Sequence, residues 1–278
     1  MSFRRSLSIF PRPSEAAWYA ALRVFRGWSE RMPEDELVKR ATRLGVHVAH
    51  LAGRPTGPFA AMGRGLAQTV YCRVHRISVP DRLDDSSRRR WEAFLAEASV
   101  LPRAIFVSAH LGPFQLQMDL LAGLPQTILF LYRSYRWRPL ADQVSFLRLQ
   151  SDRFRYADVR RPREIAKAIR AGSGEPSLAV LGDPGMPPYS ARRRLPLFGL
   201  PVLDDFPVRM SVRLKLPVFV GGLFNRESAA SDPRPGSLST FGLDYVRIDP
   251  TDEESTSCAY ASAMERAIRN SPSDWIHF

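Results

Sequence analysis

Cysteine is scarce. The 278-residue chain has two, Cys72 and Cys258, too few for a disulfide framework, and no Cys/His cluster has zinc spacing. Both are expected to be reduced, mostly buried thiols. Lysine is scarcer than the charge suggests: only Lys39, Lys167 and Lys215 among 40 cationic side chains. No stretch approaches the about 18 consecutive apolar residues of a membrane-spanning helix. The opening MSFRRSLSIFPRPS is basic but has neither an apolar h-region nor a small-residue cleavage site; the expected location is the cytoplasm. Several catalytic signatures are missing too. Without G-x-S-x-G the nucleophile-elbow hydrolases are disfavoured, and there is no P-loop and no H-E-x-x-H. The GRG at 63–65 follows no strand, so a dinucleotide fingerprint is unsupported.

What is present suits a globular protein: 45% hydrophobic and 24% charged residues exclude wholesale disorder, and the length allows a sizeable core. Lys plus Arg is 40 against 28 Asp plus Glu, a formal charge of +12. Such a surface attracts anions, whether nucleic acid, anionic lipid or an acidic protein. Nucleic acid is not expected, because no dense cationic stripe interleaves with aromatics and no known binding motif occurs.

Periodicity divides the chain. Up to about residue 100 it reads as helices. Trp18, Ala21, Leu22 and Phe25 form one apolar stripe on a helix that Ser14 can cap, and Leu37, Ala41, Leu44 and Val48 mark a second that Gly53 can end. A third spans Phe59 to about His75. Ser86 or Ser87 opens a fourth, through Trp91, Phe94 and Leu95. From 104 onward short apolar runs alternate with helical stretches. The expected strands are AIFVS (104–108), TILFL (127–131), FRYADV (154–159), SLAVLG (177–182), PVFVGGLF (217–224) and TFGLDYVRI (240–248). Between them lie helices in FQLQMDLLA, RPLADQVSFLRLQ and PREIAKAIRA, and one through Val208, Met210 and Val212. The Ser/Pro/Asp-rich stretch 227–239 reads as an exposed loop. Thr251 and Glu254 form a capping box ahead of a last helix running to about Asn270. The expected fold is therefore α/β: a central mixed, largely parallel sheet flanked by helices, with a helical N-terminal region (1–100) packed on the body (101–278), the two forming one structural domain.

His110 stands out. It follows AIFVS directly, at the strand's C-terminal end, where open α/β sheets bind ligands. Gly112 permits close backbone approach, and the helix starting near Pro113 aims free N–H groups at the same place. A base beside an anion-stabilising helix start suits acyl transfer; a structural strand-end histidine is the alternative.

Five blocks in order resemble the lipid A biosynthesis (late) acyltransferases, of the lysophospholipid acyltransferase-like superfamily. SAHLGPFQLQMDLLA is similar to that family's H-x4-D/E block. LYRSYRWRPLADQVSFLRLQ matches the next at Tyr132, Arg133, Leu140, Asp142 and Arg148. LAVLGDPGM matches a strand ending in Asp at Asp183. RRLPLFGLPV matches at Pro196, Phe198, Gly199 and Pro201, and PSDWIHF matches the closing phrase at Pro272, Trp275 and Phe278. The likeness covers about residues 100 to 278. One position departs: where the family's histidine-orienting carboxylate stands, this chain has Gln115. Three readings follow: the Gln115 amide suffices for an easier acceptor, Asp119 reaches the site instead, or the chain is an inactive relative.

The resemblance implies transfer of a fatty acyl group from an acyl carrier protein or acyl-CoA thioester to a hydroxyl or amine. His110 is the implied general base, oriented by Gln115, with the oxyanion held by backbone N–H groups near Gly112. Gly112, Arg133, Asp183, Arg194, Phe198 and Gly199 are the expected substrate-binding positions. Arg192, Arg193 and Arg194 are candidates for an anionic headgroup or acidic carrier. No metal and no tightly bound cofactor is implied. The charge fits peripheral contact with an anionic membrane, at the cytoplasmic face of the inner membrane. The competing expectation is an inactive homologue serving as a binding or scaffold subunit.

Overall fold

A computed structural model describes residues 13–51, 53–132, 151–158, 161, 163, 165–167, 175–183, 194–226 and 240–275, with side chains from residue 19 onward. Four helices come first: α1 (Pro13–Ser29), α2 (Glu34–Leu51), α3 (Thr56–His75) and α4 (Asp85–Ser99). The expected stripe of α1 is realised by Leu22 and Phe25, which pack against Leu37 and Ala41 of α2 and Leu66 and Val70 of α3. The cap of α4 lies earlier than expected. Asp84, not Ser86 or Ser87, accepts the Ser87 N–H at 2.8 Å, leaving the Ser87 hydroxyl to accept from Leu243 N–H.

The body follows as β1 (Ile105–Ser108), α5 (Gln117–Leu121), β2 (Ile128–Tyr132), β3 (Phe154–Asp158), β4 (Ser177–Leu181), β5 (Arg194–Leu197), β6 (Leu200–Asp204), α6 (Phe206–Leu214), β7 (Val218–Asn225), β8 (Phe241–Ile248) and α7 (Glu253–Arg269). The main sheet runs β3-β2-β4-β1-β7-β8, parallel throughout except for β8, which pairs antiparallel with β7. This is the expected mixed, largely parallel α/β architecture with a helical N-terminal region. The helices expected at 138–150 and in PREIAKAIRA, and the loop expected at 227–239, fall wholly or mostly outside the described residues.

Two details differ from the sequence reading. Arg194 to Asp204 form a β-hairpin apart from the main sheet. Its two-residue turn, Phe198–Gly199, has both φ angles positive, 50° and 78°, as a tight hairpin matching strand twist requires. The last helix is capped by Asp252, which accepts the Ser255 N–H, while Thr251 N–H donates to the Thr256 hydroxyl. Asp252 thus holds the N-cap one residue after the Thr251 of the expected box.

The sheet is buried on both faces, and the two faces differ. Ile105, Val107, Leu129, Val180, Val218 and Val220 point to an aliphatic core shared with α6, α7 and the hairpin. The alternate positions, Phe106, Phe130, Phe154, Tyr156, Phe219 and Tyr245, point to α4 and α5. Period-two alternation thus sorts aliphatic from aromatic rather than apolar from polar.

The N-terminal helices are fastened to the body by charge as well as packing. Arg82 donates to both oxygens of Glu34 at 2.8 and 2.9 Å and to the Cys72 sulfur at 2.8 Å, and lies 4.3 Å from the Phe241 ring centroid. The Arg82 and Glu34 side chains are 2% and 1% exposed. Arg73 on α3 grips Asp119 of α5 with two bonds of 2.7 and 2.8 Å. Among the described residues no helix is long and apolar enough to cross a membrane.

Candidate active site

β1 and β4 are parallel neighbours, with Ser108 opposite Leu181. Each strand is followed by one small residue and then a functional one: Ala109 then His110, Gly182 then Asp183. The Gly182 N–H donates to Ser108 O at 2.8 Å, so the ladder runs to the rim and the next residues meet. His110 Nδ1 lies 2.7 Å from Asp183 Oδ1. Asp183 Oδ2 accepts the His110 backbone N–H at 2.9 Å and the Trp275 indole N–H at 3.0 Å. Asp183 is buried at 2% exposure.

This geometry assigns the tautomer. The carboxylate only accepts, so Nδ1 carries the proton and the Nε2 lone pair is left for chemistry. Nε2 has no hydrogen-bond partner among the described residues. Burial disfavours the imidazolium, but the Asp183 charge and hydrogen bond outweigh it and hold the His110 pKa above its ordinary 6.5. Phe114 packs edge-on to the imidazole, centroids 4.8 Å apart.

The ring borders a cavity of about 310 Å³ on the aromatic side of the sheet, between the strands and α4 and α5. The volume is at the lower end of the about 300–1,000 Å³ typical of ligand sites. Phe94, Phe106, Phe130, Tyr156, Phe219 and Tyr245 line it together with His110, and Ser108, Gln115 and Gln117 add polar groups. The Gln117 amide nitrogen is buried with no hydrogen-bond partner among the described residues.

Several sequence expectations need correction. Gln115 lines the cavity but does not orient His110: its carbonyl oxygen accepts from the Thr69 hydroxyl of α3 at 3.3 Å, because the 3₁₀ turn Phe114–Leu116 turns it toward that helix. Asp119 does not reach the ring either, being held by Arg73. Asp183, expected as a pocket residue, is the carboxylate on the imidazole. The Gly112 N–H is not free for an oxyanion, since it donates to Asp274 O at 2.9 Å. Gly112 itself has φ +45°, and its carbonyl is so close to α3 that a Cβ on Gly65 would stand 2.2 Å from it. Arg194, Phe198 and Gly199 belong to the hairpin and are not among the cavity's lining residues. The Phe198 ring lies 5.8 Å from that of Trp275 and 5.4 Å from the Arg269 guanidinium. Arg133, Arg192 and Arg193 lie outside the described residues.

Sequence reasoning assigned no role at the site to Tyr260, Gln117 or Asn225. Tyr260 of α7 is wholly buried beneath the rim: a Cβ on Gly182 would meet its hydroxyl at 2.0 Å. Burial, with the Asp183 and Asp204 charges, pushes its pKa well up, so it stays neutral. Among the described residues no group of three or more His, Cys, Asp or Glu is placed to hold a metal ion. No protein-family model matches the chain, and no curated protein matches it.

Proposed function

We propose that the chain is an acyltransferase that moves a fatty acyl group from a thioester, carried by acyl carrier protein or CoA, to a hydroxyl or amine. The observation that carries this reading is the His110–Asp183 pair at 2.7 Å, with the ring at the wall of an aromatic-lined cavity of about 310 Å³. The acyl tail fills the cavity, putting the thioester carbonyl near Nε2. The acceptor O–H or N–H gives its proton to Nε2 as its lone pair attacks the carbonyl carbon. The Gln117 amide N–H, otherwise unpartnered, donates to the oxygen on which negative charge gathers. Collapse breaks the C–S bond, and the thiolate leaves with the proton held by the imidazolium. The products are an ester or amide and a free thiol. Asp183 keeps the tautomer and offsets the imidazolium charge. The +12 net charge supports a peripheral encounter with acidic carriers or anionic membrane, at the cytoplasmic face.

The test is thiol release from acyl-CoA and acyl-carrier thioesters in the presence of amine and hydroxyl acceptors. Release abolished by His110→Ala supports the reading. Thioester binding with no release for any acceptor removes it and leaves the inactive binding subunit.

A further inference from the structure

We infer that Trp275, in the turn after α7, is a positioning residue for the His110–Asp183 pair, acting through its indole N–H on Asp183 Oδ2. The inference rests on the catalytic reading of that pair but makes a claim of its own about the C-terminal turn. Asp183 Oδ1 is used by the imidazole, and Oδ2 is shared by the His110 backbone N–H and the Trp275 indole N–H. The carboxylate therefore has one donor that belongs to neither strand of the pair. Without it, rotation about the Asp183 Cβ–Cγ bond is resisted on the Oδ2 side by the backbone bond alone.

The turn is itself anchored to the histidine loop. Leu111 and Trp275 form an antiparallel bridge, and the Gly112 N–H donates to Asp274 O at 2.9 Å. The Asp274 carboxylate, 1% exposed, accepts from Asn225 N and Nδ2 at 2.7 and 2.9 Å, and Asn225 Oδ1 accepts from Gln68 of α3 at 2.6 Å. Arg64 of α3 reaches the same carboxylate at 3.0 Å. The indole thus hangs from a frame tied to β7 and α3 and bears on the one carboxylate that sets the tautomer. Its other face packs toward Phe198 of the hairpin turn.

Among the described residues, the charged and titratable groups around the pair are few. Asp183 follows β4, and the others are Tyr260 from α7, Asp204 from β6, and Asp274 with Arg64 from the turn and α3. Arg64 and Asp274 pair with each other and Tyr260 stays neutral. Loss of the indole donor therefore concentrates charge on Asp183, which favours the imidazolium: the His110 titration moves up.

The experiment is Trp275→Phe, which keeps the ring and removes the N–H. Carbon-13 NMR of labelled imidazoles, with His110→Asn to assign the signal, should place the His110 midpoint higher by about 0.5, a fraction of what a full charge partner exerts. The acid limb of kcat/KM for thioester turnover should rise in step, with kcat falling several-fold and KM for the thioester unchanged. A His110 midpoint equal to wild type overturns the inference. A second measurement in the wild-type chain covers a variant that does not fold. The Trp275 indole N–H resonance should titrate with the His110 midpoint, and a flat resonance across that range overturns the inference equally. Neither titration needs substrate. If both shifts appear and no thioester is turned over, the acyltransferase reading falls and the positioning role stands; turnover without either shift does the reverse.

Discussion

Asp183→Asn tests the dyad most sharply, because the surrounding donors dictate which way the new amide must face. Two N–H groups, from the His110 backbone and the Trp275 indole, point at the Oδ2 position at 2.9 and 3.0 Å. The amide oxygen must take that place. The NH₂ then faces Nδ1, which has to become an acceptor, and the ring proton moves to Nε2. The imidazole is held firmly in the tautomer that cannot take a proton from an acceptor. Recovering the other tautomer means flipping the amide so that its NH₂ confronts two donors. Each unmade buried bond costs about 1–3 kcal/mol, or about 2–6 kcal/mol for the pair. At about 1.4 kcal/mol per tenfold, kcat/KM should fall between about 30-fold and a few times 10⁴-fold. The upper part of that range meets the ~10⁴-fold recorded for the neutralised acid of a serine-protease triad. Stopped assays of thiol release give kcat/KM, and NMR gives the His110 midpoint. With the charge gone, only burial acts on the ring, so the midpoint should drop below 6.5 from its raised wild-type position. Stability follows with a definite sign. A raised folded pKa contributes stability that is complete below the unfolded value of 6.5 and is lost as the pH climbs through the folded value; the variant should lack that increment. An Asp183→Asn protein within about threefold of wild-type kcat/KM, with Gln115→Ala the more damaging change, would refute the argument.

Gln117→Leu should lower kcat about 10²-fold with little effect on unfolding, the loss expected of one oxyanion donor; steady-state kinetics beside thermal unfolding decide, and an unchanged kcat removes Gln117 from the mechanism. Glu34→Gln removes the carboxylate charge that faces the buried Arg82 guanidinium and should cost about 3–5 kcal/mol in denaturant unfolding, whereas a loss under about 1 kcal/mol would mean the pair contributes no more than an exposed one. Cys72 is buried, and desolvation pushes its thiol up to about 11, while Cys258 is exposed. A thiol reagent at pH 8 should therefore titrate one thiol rapidly in the native protein and two in denaturant; two rapid thiols would contradict the packing around Arg82.

The architecture was legible because the strands are short apolar runs punctuated by Gly, Pro and polar residues, and because helical and strand periods alternate from residue 104 onward. The expected strand positions agree with the six strands of the main sheet to within a residue or two at most ends. The β5–β6 hairpin escaped because its alternation is carried by few residues, Leu195 and Leu197 buried between exposed Arg194 and Pro196. It is also closed by a turn in which Phe198, a residue that rarely takes positive φ, does so at 50°. Both caps differ from the pattern in the same way: an aspartate near the Ser or Thr that the pattern favours accepts the free N–H instead, Asp84 two residues before Ser86 and Asp252 one residue after Thr251.

The catalytic pair was half legible, and the missing half follows from what a one-dimensional spacing can encode. The histidine announces itself by its place after an apolar strand. The H-x4-D/E spacing places the carboxylate five residues on, where a helix would have to carry it back to the ring. Here Gly112 at φ +45° and Pro113 turn the chain so that Gln115 faces Thr69 of α3 instead. The acid comes from 73 residues away, by a rule that sequence displays only once strand order is known. Two parallel neighbours in register, each followed by one small residue, bring their next residues together at the rim, and AIFVS-A-H and SLAVL-G-D share that offset. Strand order is not written in either segment. It arises because both are buried on two faces and must sit mid-sheet, β1 between β4 and β7. A carboxylate on a neighbouring strand can then replace one on the following helix without moving the imidazole, because proton transfer depends on which nitrogen faces the cavity and not on which element supplies its partner.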